Sequence, residues 1–188
     1  MCSSDLAGTA AFGVAHGQTA AAWGTLLDGT KGMDNFRPVG NANWRVMDDG
    51  IGANLGNGFL VSKESYVDFK IRAEIWVDTP ANSGIFIRCQ NPNNIGGNSC
   101  YEVNVFDTRP GPEYGTGAIV NIAKVIGQPK AGGKWNVLEI VAKGPQMTIT
   151  FNGVKSAEGS DGKFPRGRFA LQYGGGTVKF RKIEISPL

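Results

Sequence analysis

Three polar residues in the middle of the chain have the side-chain types and the spacing of a catalytic or ligand-binding group: Arg88, Glu102 and Asn104. They alternate with apolar residues in two predicted strands, residues 83–88 and 101–106, and side chains at alternate positions of a strand point to the same side. If the two strands are neighbours, the three residues meet on one sheet face. A face that carries such groups beside aromatic rings suits a sugar, because hydroxyls need polar partners and a pyranose packs on a ring. A solvated ion pair is the plainer interpretation.

Four more residues could extend such a face. Glu74 and Trp76 share the outward side of the predicted strand 67–77, although a charged solvent face explains them equally well. Gln172 and Tyr173 close a predicted strand just before three consecutive glycines. A glycine run permits the close approach of a ligand, or it simply forms a turn.

A Pro- and Gly-rich segment after the second polar strand contains Asp107, Arg109 and Tyr114. We expect it to be a rim loop, and loops of this kind carry function or merely turn the chain. The outward aromatic residues Trp76 and Phe106, with Phe86, could instead form a contact with another protein.

Familiar catalytic motifs are absent from the sequence. It contains no Gly-x-Ser-x-Gly, no phosphate- or dinucleotide-binding glycine loop and no His-Glu-x-x-His. The only histidine, His16, lies near the N-terminus, so acid–base chemistry would depend on carboxylates, Tyr or Lys. The formal charge of +3, from 19 basic and 16 acidic residues, does not favour nucleic acid as a partner.

Short strands are the elements that must position these residues. Period-two alternation runs through residues 67–77, and Asn152-Gly153 is typical of a type I′ hairpin turn. The apolar residues of the last strand change parity near Arg181, which predicts a β-bulge there. About a dozen such strands, 28 glycines and no convincing amphipathic helix predict one all-β domain, a two-sheet antiparallel jelly-roll sandwich.

The N-terminus and the cysteines bear on localisation. Residues 1–22 form a small-residue leader that we expect to be signal-like or disordered, and we place the domain at 23–188. Cys89 and Cys100 flank a Gly- and Asn-rich loop and could form a disulfide in an oxidising compartment, or remain buried thiols. No apolar stretch reaches the roughly 20 residues of a membrane span. We therefore expect a secreted or periplasmic protein, and its oligomeric state stays open.

An ordered series of motifs from Trp23 to the C-terminus resembles the 3-keto-disaccharide hydrolase family. Each motif is short, and the order and spacing of the series carry the resemblance. The motifs are Trp23-Gly24-Thr25-Leu26-Leu27-Asp28-Gly29, Trp44-Arg45-Val46, Asp49-Gly50, Asn82-Ser83-Gly84-Ile85-Phe86-Ile87-Arg88, Tyr101-Glu102-Val103-Asn104 with Asp107, Trp135-Asn136, Asn152-Gly153, Leu171-Gln172 and Val178-Lys179-Phe180-Arg181-Lys182-Ile183.

The resemblance implies a concanavalin A-like jelly roll, exported by bacteria, that acts on sugars oxidised at C3. A 3-keto group acidifies the C2 proton, so a base can remove it and the glycosidic oxygen can leave C1, with water adding afterwards. On matching positions, Glu102 becomes the base or a metal-facing carboxylate. Arg88 becomes the oxyanion stabiliser, and Asp107 and Gln172 supply supporting contacts.

One departure from the family pattern concerns Tyr173, which stands where many relatives carry His. A tyrosine titrates far above neutral pH unless perturbed, so a non-catalytic carbohydrate-binding module is the alternative. The resemblance also allows a divalent cation, for which Glu102, Asp107 or Glu113 could be ligands. The sequence does not locate such a metal site.

Overall fold

The computed structural model describes residues 22–188. The predicted leader, with Cys2 and His16, therefore lies outside the described residues except for Ala22. The described part contains two short 3₁₀ helices, Met33–Asn35 and Pro112–Tyr114, and no α-helix. Its strands are β1 Gly24–Asp28, β2 Phe36–Gly40, β3 Arg45–Met47, β4 Gly50–Ala53, β5 Gly58–Ser62, β6 Phe69–Val77, β7 Ser83–Cys89, β8 Tyr101–Val105, β9 Trp135–Lys143, β10 Gln146–Phe151, β11 Val154–Ser160, β12 Arg168–Tyr173 and β13 Val178–Pro187.

These strands form two antiparallel sheets. The eight-stranded sheet has the order β11-β10-β9-β6-β13-β4-β3, with β1 paired to β13, and the five-stranded sheet has the order β2-β5-β12-β7-β8. Each sheet has one apolar face, and burying these two faces against each other removes them from water. The prediction of an all-β jelly-roll sandwich is confirmed.

Strand β6 shows how the core is built. Phe69, Ile71 and Ile75 are buried at alternate positions, whereas Lys70 and Arg72 between them are exposed. This is the predicted period-two pattern, and it directs one side of β6 at the five-stranded sheet. Phe169 of β12 and Phe180 of β13 are fully buried in the same cluster.

Two local features of the backbone match the sequence predictions. The register between β13 and β6 shifts between Phe180 and Lys182, which is the bulge expected near Arg181. Asn152 and Gly153 have φ angles of 49° and 79°, as a type I′ hairpin turn requires. Both predictions are confirmed.

In residues 22–188, no helix has the length and apolar character needed to cross a membrane.

Candidate functional site

Two rows of side chains cross the outer face of the five-stranded sheet, the face turned away from the other sheet. The first row consists of register partners on β5, β12, β7 and β8: Phe59, Gln172, Gly84 and Asn104. The second row lies beside it on the same strands: Val61, Ala170, Phe86 and Glu102. The residues between the rows point into the core, namely Leu60, Leu171, Ile85 and Val103. The structure thus places Glu102, Asn104 and Gln172 together.

The first row contains buried polar atoms that have no hydrogen-bond partner among the described residues. These atoms are Asn104 Oδ1 and Gln172 Oε1. Arg109 Nε, in the loop after β8, is likewise buried without a partner. The Asn104 amide is fixed because its Nδ2 donates to the Tyr114 carbonyl oxygen over 2.7 Å, which leaves Oδ1 as a free acceptor. Buried polar atoms are nearly always hydrogen-bonded in folded proteins. The two unpaired oxygens on this face therefore indicate a place where a polar ligand binds.

Gly84 leaves space between these two acceptors. A Cβ atom at this position would lie 2.7 Å from the Val103 carbonyl oxygen and 3.4 Å from Gln172 Oε1. No other residue fits here without a shift of the backbone. The glycine lets a ligand approach the sheet closely between Gln172 and Asn104.

Glu102 is a partly buried carboxylate that makes no hydrogen bond or ion pair with the described residues. Burial raises the pKa of Glu102 above the usual value of a glutamate, and the positive charge of Arg109 acts in the opposite direction. A base must be ionised at the working pH and must still bind a proton well, so a raised pKa suits that role.

An aromatic patch adjoins the polar row. The rings of Phe59 and Phe86 pack edge to face with their centroids 5.3 Å apart, and Val39 and Ile95 pack against the same cluster. Phe59 remains partly exposed. The outer face therefore offers an apolar surface beside unpaired polar atoms, which is the combination that a pyranose ring needs.

The β7–β8 loop borders this patch. Cys89 and Cys100 are joined in a disulfide that closes the loop. Arg37 holds the loop from β2, donating to the Pro92 carbonyl oxygen at 2.8 Å and to Asn93 Oδ1 at 2.7 Å. The wall of the site beside Phe86 is therefore anchored.

The prediction that Arg88 shares a face with Glu102 and Asn104 is wrong. Arg88 is fully buried, and its guanidinium donates to the carbonyl oxygens of Val67 and Gly144 and pairs with Asp68 at 3.1 Å. Its φ angle is 53°. The register of β12 against β7 shifts by one residue here, so β7 contains an extra residue and the alternation reverses after Ile87.

The prediction that Glu74 and Trp76 extend the same groove is also wrong. Both lie on β6, in the eight-stranded sheet, and face the opposite surface of the molecule. Glu74 pairs there with Arg181, and the centroid of the Trp76 ring lies 4.3 Å from Lys179 Nζ. Parity correctly put the two side chains outward, but strand pairing put them on the other sheet.

Tyr173 and Asp107 are also directed away from the rows. Tyr173 follows Gln172 on β12 and therefore points inward, where its hydroxyl donates to the Gly176 carbonyl oxygen at 3.0 Å. The Asp107 carboxylate accepts hydrogen bonds from the Thr116 hydroxyl at 2.6 Å and from the backbone N–H groups of residues 131 and 132. Asp107 thus organises the loop that follows β8.

The carboxylates considered as metal ligands are not gathered. Asp107 is occupied by these hydrogen bonds, and Glu113 is exposed at the second 3₁₀ helix. Within residues 22–188, no three His, Cys, Asp or Glu side chains form a group that could hold a metal ion. These residues therefore do not fit a cation site.

Phe59 and the role of Arg109 were not predicted from the sequence. Phe59 could have been found from its parity with Val61 on β5, once β5 is known to pair with β12. Arg109 lies in an irregular loop, where alternation gives no direction for a side chain. Its proximity to Glu102 depends on how this loop folds.

The fold and the face together define a class: a jelly-roll β-sandwich with a sugar-compatible outer sheet face. A family model described as the 3-keto-alpha-glucoside-1,2-lyase-like domain matches residues 22–186. The chain therefore belongs to that family, which links it to carbohydrates and to glycosyl hydrolase-like proteins.

Solved structures share this fold. The chain is similar to a candidate glycosyl hydrolase from Parabacteroides distasonis ATCC 8503, with a TM-score of 0.74 and 24% identity over 89% of this chain and 100% of that one. A second candidate glycosyl hydrolase from the same organism has a TM-score of 0.75 and 18% identity, over 88% of this chain and 94% of that one. The carbohydrate-binding module CBM66 from Bacillus subtilis has a TM-score of 0.63 and 18% identity, over 89% of this chain and 97% of that one. No curated protein matches the chain.

Proposed function

We propose that this protein cleaves the glycosidic bond of 3-keto-glycosides by elimination, on the outer face of the five-stranded sheet. The observation that carries the proposal is the group of unpaired polar atoms on Asn104, Gln172 and Arg109 around the partly buried Glu102. Membership of the 3-keto-alpha-glucoside-1,2-lyase-like family supports this substrate class.

The roles follow from chemistry and position. The carboxylate of Glu102 takes the C2 proton, and the C–H electron pair moves to give an enolate whose charge lies on the C3 oxygen. The Arg109 guanidinium, whose positive charge lowers the pKa of Glu102, stabilises that oxygen. It takes the role that the family resemblance implied for Arg88. The enolate then re-forms the C3 carbonyl as C1=C2 forms and the C1–O bond breaks, and the leaving oxygen takes up a proton. Water can add across C1=C2 in a later step, giving overall hydrolysis.

Gln172 and Asn104 bind and orient the ring in this proposal. Their free oxygens, Oε1 and Oδ1, accept hydrogen bonds from two sugar hydroxyls, and Gly84 between them lets the ring lie close to the sheet. Holding the ring in one orientation keeps the C2 proton within reach of Glu102, which lowers the entropic part of the barrier.

The test compares Glu102→Gln with the wild type on a 3-keto-glucoside that carries a chromogenic leaving group. We expect kcat to fall by about 10²- to 10⁴-fold, the usual contribution of a positioned base. Glu64→Gln, an exposed glutamate in the β5–β6 turn, is the matched control and should keep wild-type turnover. Burial disfavours the charged form of Glu102, so the glutamine variant should be at least as stable as the wild type at neutral pH. Full turnover by Glu102→Gln would refute the proposal.

A non-catalytic carbohydrate-binding module is the second candidate. The inward direction of Tyr173 favours it, because the residue at this position brings no acid or base to the face. If the protein is a binding module, the wild type should bind the same 3-keto-glucoside, as measured by calorimetry, without releasing its leaving group. Asn104→Ala should weaken that binding.

A further inference from the structure

A second concave site lies at the β11 edge of the eight-stranded sheet, a cleft of about 390 Å³. One side is the loop segment 126–130, in the connection between β8 and β9, and the other is the β10–β11 hairpin with the start of β11. Lys134, just before β9, also lines it. No residue of the two rows on the five-stranded sheet takes part. The volume falls within the roughly 300–1,000 Å³ of small-molecule sites.

The cleft has apolar walls that are open to solvent. Ile126 and Val154 are 57% and 70% exposed, and both line the cleft together with Pro129. Apolar side chains that are exposed singly are common on protein surfaces. Apolar side chains gathered around one concave surface instead indicate a place where an apolar group binds.

The charged residues that line the cleft are all positive. They are Lys130, Lys134 and Lys155, and no carboxylate of the described residues lines it with them. Lys155 pairs at 2.5 Å with Glu158, which lies outside the lining. Lys130 Nζ donates to the Asp107 carbonyl oxygen at 2.8 Å, a neutral acceptor. Lys134 Nζ makes no hydrogen bond or ion pair with the described residues. The cleft therefore presents positive charge to a ligand.

Hydrogen bonds hold the loop side of the cleft at both ends. At one end, the Ile126 N–H donates to the Ser156 carbonyl oxygen at 2.6 Å, which fastens the loop to β11. At the other end, the N–H groups of Ala131 and Gly132 donate to the Asp107 carboxylate at 3.0 and 2.9 Å. The cleft thus exists before a ligand arrives, and binding does not have to order the loop.

We infer that this cleft binds a small amphipathic anion, an apolar body that carries one carboxylate. The apolar body packs against Ile126 and Val154, and the carboxylate accepts a hydrogen bond from the Lys134 ammonium group. Charge complementarity selects such an anion over a neutral molecule of the same shape. The inference is independent of the proposed function, because none of the groups assigned to that reaction lines the cleft.

The experiment titrates the intact protein with 4-phenylbutanoate and follows the backbone amide shifts by NMR. Two analogues separate the two halves of the ligand: 4-phenylbutanamide lacks the charge, and acetate lacks the apolar body. We expect a dissociation constant of about 1 mM for 4-phenylbutanoate, with binding at least about threefold weaker for each analogue. The shifts should concentrate in residues 126–134 and 152–156.

Variants test the two kinds of lining separately. Lys134→Met keeps an unbranched chain and removes the charge, so it should weaken binding of 4-phenylbutanoate by about 3- to 10-fold and leave binding of the amide unchanged. Val154→Thr keeps the branched shape and should weaken binding of both compounds by about threefold. The matched controls, Lys63→Met in the β5–β6 turn and Val46→Thr on β3, change exposed residues far along the chain and should bind as the wild type does.

Several results would overturn the inference. Equal affinity for 4-phenylbutanoate and its amide would remove the role of the positive charge, and equal affinity for acetate would remove that of the apolar walls. Wild-type binding by Lys134→Met would place the anion elsewhere. An absence of shifts in residues 126–134 and 152–156 at about ten times the expected dissociation constant would show that the cleft does not take this class of ligand. None of these results bears on the proposed function.

Discussion

Glu102 is the residue at which burial and charge act against each other. Burial raises the pKa of its carboxyl, and Arg109 lowers it. No hydrogen bond or ion pair with the described residues fixes Glu102 in the charged form, unlike Asp161, which two hydrogen bonds hold. Of these two carboxylates, Glu102 is therefore the one suited to proton transfer.

This balance predicts the pH dependence of activity. A base works only when ionised, so kcat/KM should fall at acidic pH as Glu102 becomes protonated, with a midpoint above the usual pKa of a glutamate. Arg109→Met removes the charge that lowers this pKa, so the acidic limb should move to higher pH. The measurement is the pH profile of kcat/KM for both proteins.

A matched control for that profile is Arg166→Met, which removes an exposed arginine from the β11–β12 connection. Its acidic limb should coincide with that of the wild type. An Arg109→Met profile that shifts to lower pH would contradict the proposed relation between Arg109 and Glu102.

At the scale of elements, the bulge in β7 separates a structural arginine from the candidate site. Past Ile87 the side chain of Arg88 turns inward and connects β7 to the start of β6 and to the β9–β10 turn through Val67 and Gly144. The guanidinium is fully buried and satisfied by these oxygens and by Asp68. Arg88 therefore fastens the sandwich at one end rather than contacting a ligand.

Arg88→Met should be destabilising and leave the chemistry intact. The change leaves two carbonyl oxygens without a donor and Asp68 without its cation, which should lower the free energy of unfolding by about 2–4 kcal/mol. Urea unfolding measures this loss, and kcat measured well below the melting temperature should stay near the wild-type value. A stable Arg88→Met variant without turnover would return Arg88 to a catalytic role.

At the scale of the whole molecule, the Cys89–Cys100 disulfide bears on both stability and localisation. It joins the ends of β7 and β8, two strands of the candidate site, over a sequence separation of 11 residues. Disulfides persist in oxidising compartments. On this basis, and on the signal-like leader, we propose that the protein is secreted or periplasmic.

Breaking this disulfide should destabilise the domain. Closing a loop of this length restricts the unfolded chain by about 3 kcal/mol, so Cys89→Ser/Cys100→Ser should melt at a lower temperature than the wild type. Reductant should lower the melting temperature of the wild type and leave that of the double variant unchanged. Non-reduced peptide mapping of the exported protein should show the linked pair, and two free thiols would contradict the proposed localisation.

The sequence by itself determined the features that depend on neighbours along the chain. Alternation identified the buried side of β6 and the common outward side of Glu102 and Asn104, because the pleat of a strand fixes which side chains share a side. The hairpin at Asn152 and the bulge at Arg181 followed from local backbone preferences and from a change of parity.

Only the tertiary structure decided which of these sides lie on the same surface. Pairing between strands distant in sequence put β6 in one sheet and β7 and β8 in the other, so Trp76 and Glu102 face opposite surfaces. The extra residue of β7 that turns Arg88 inward is defined only by the pairing of β7 with β12. The loop that brings Arg109 to Glu102 has no repeating pattern that would predict its path. Alternation gives a side chain's direction relative to its own strand, whereas a functional site depends on long-range pairing.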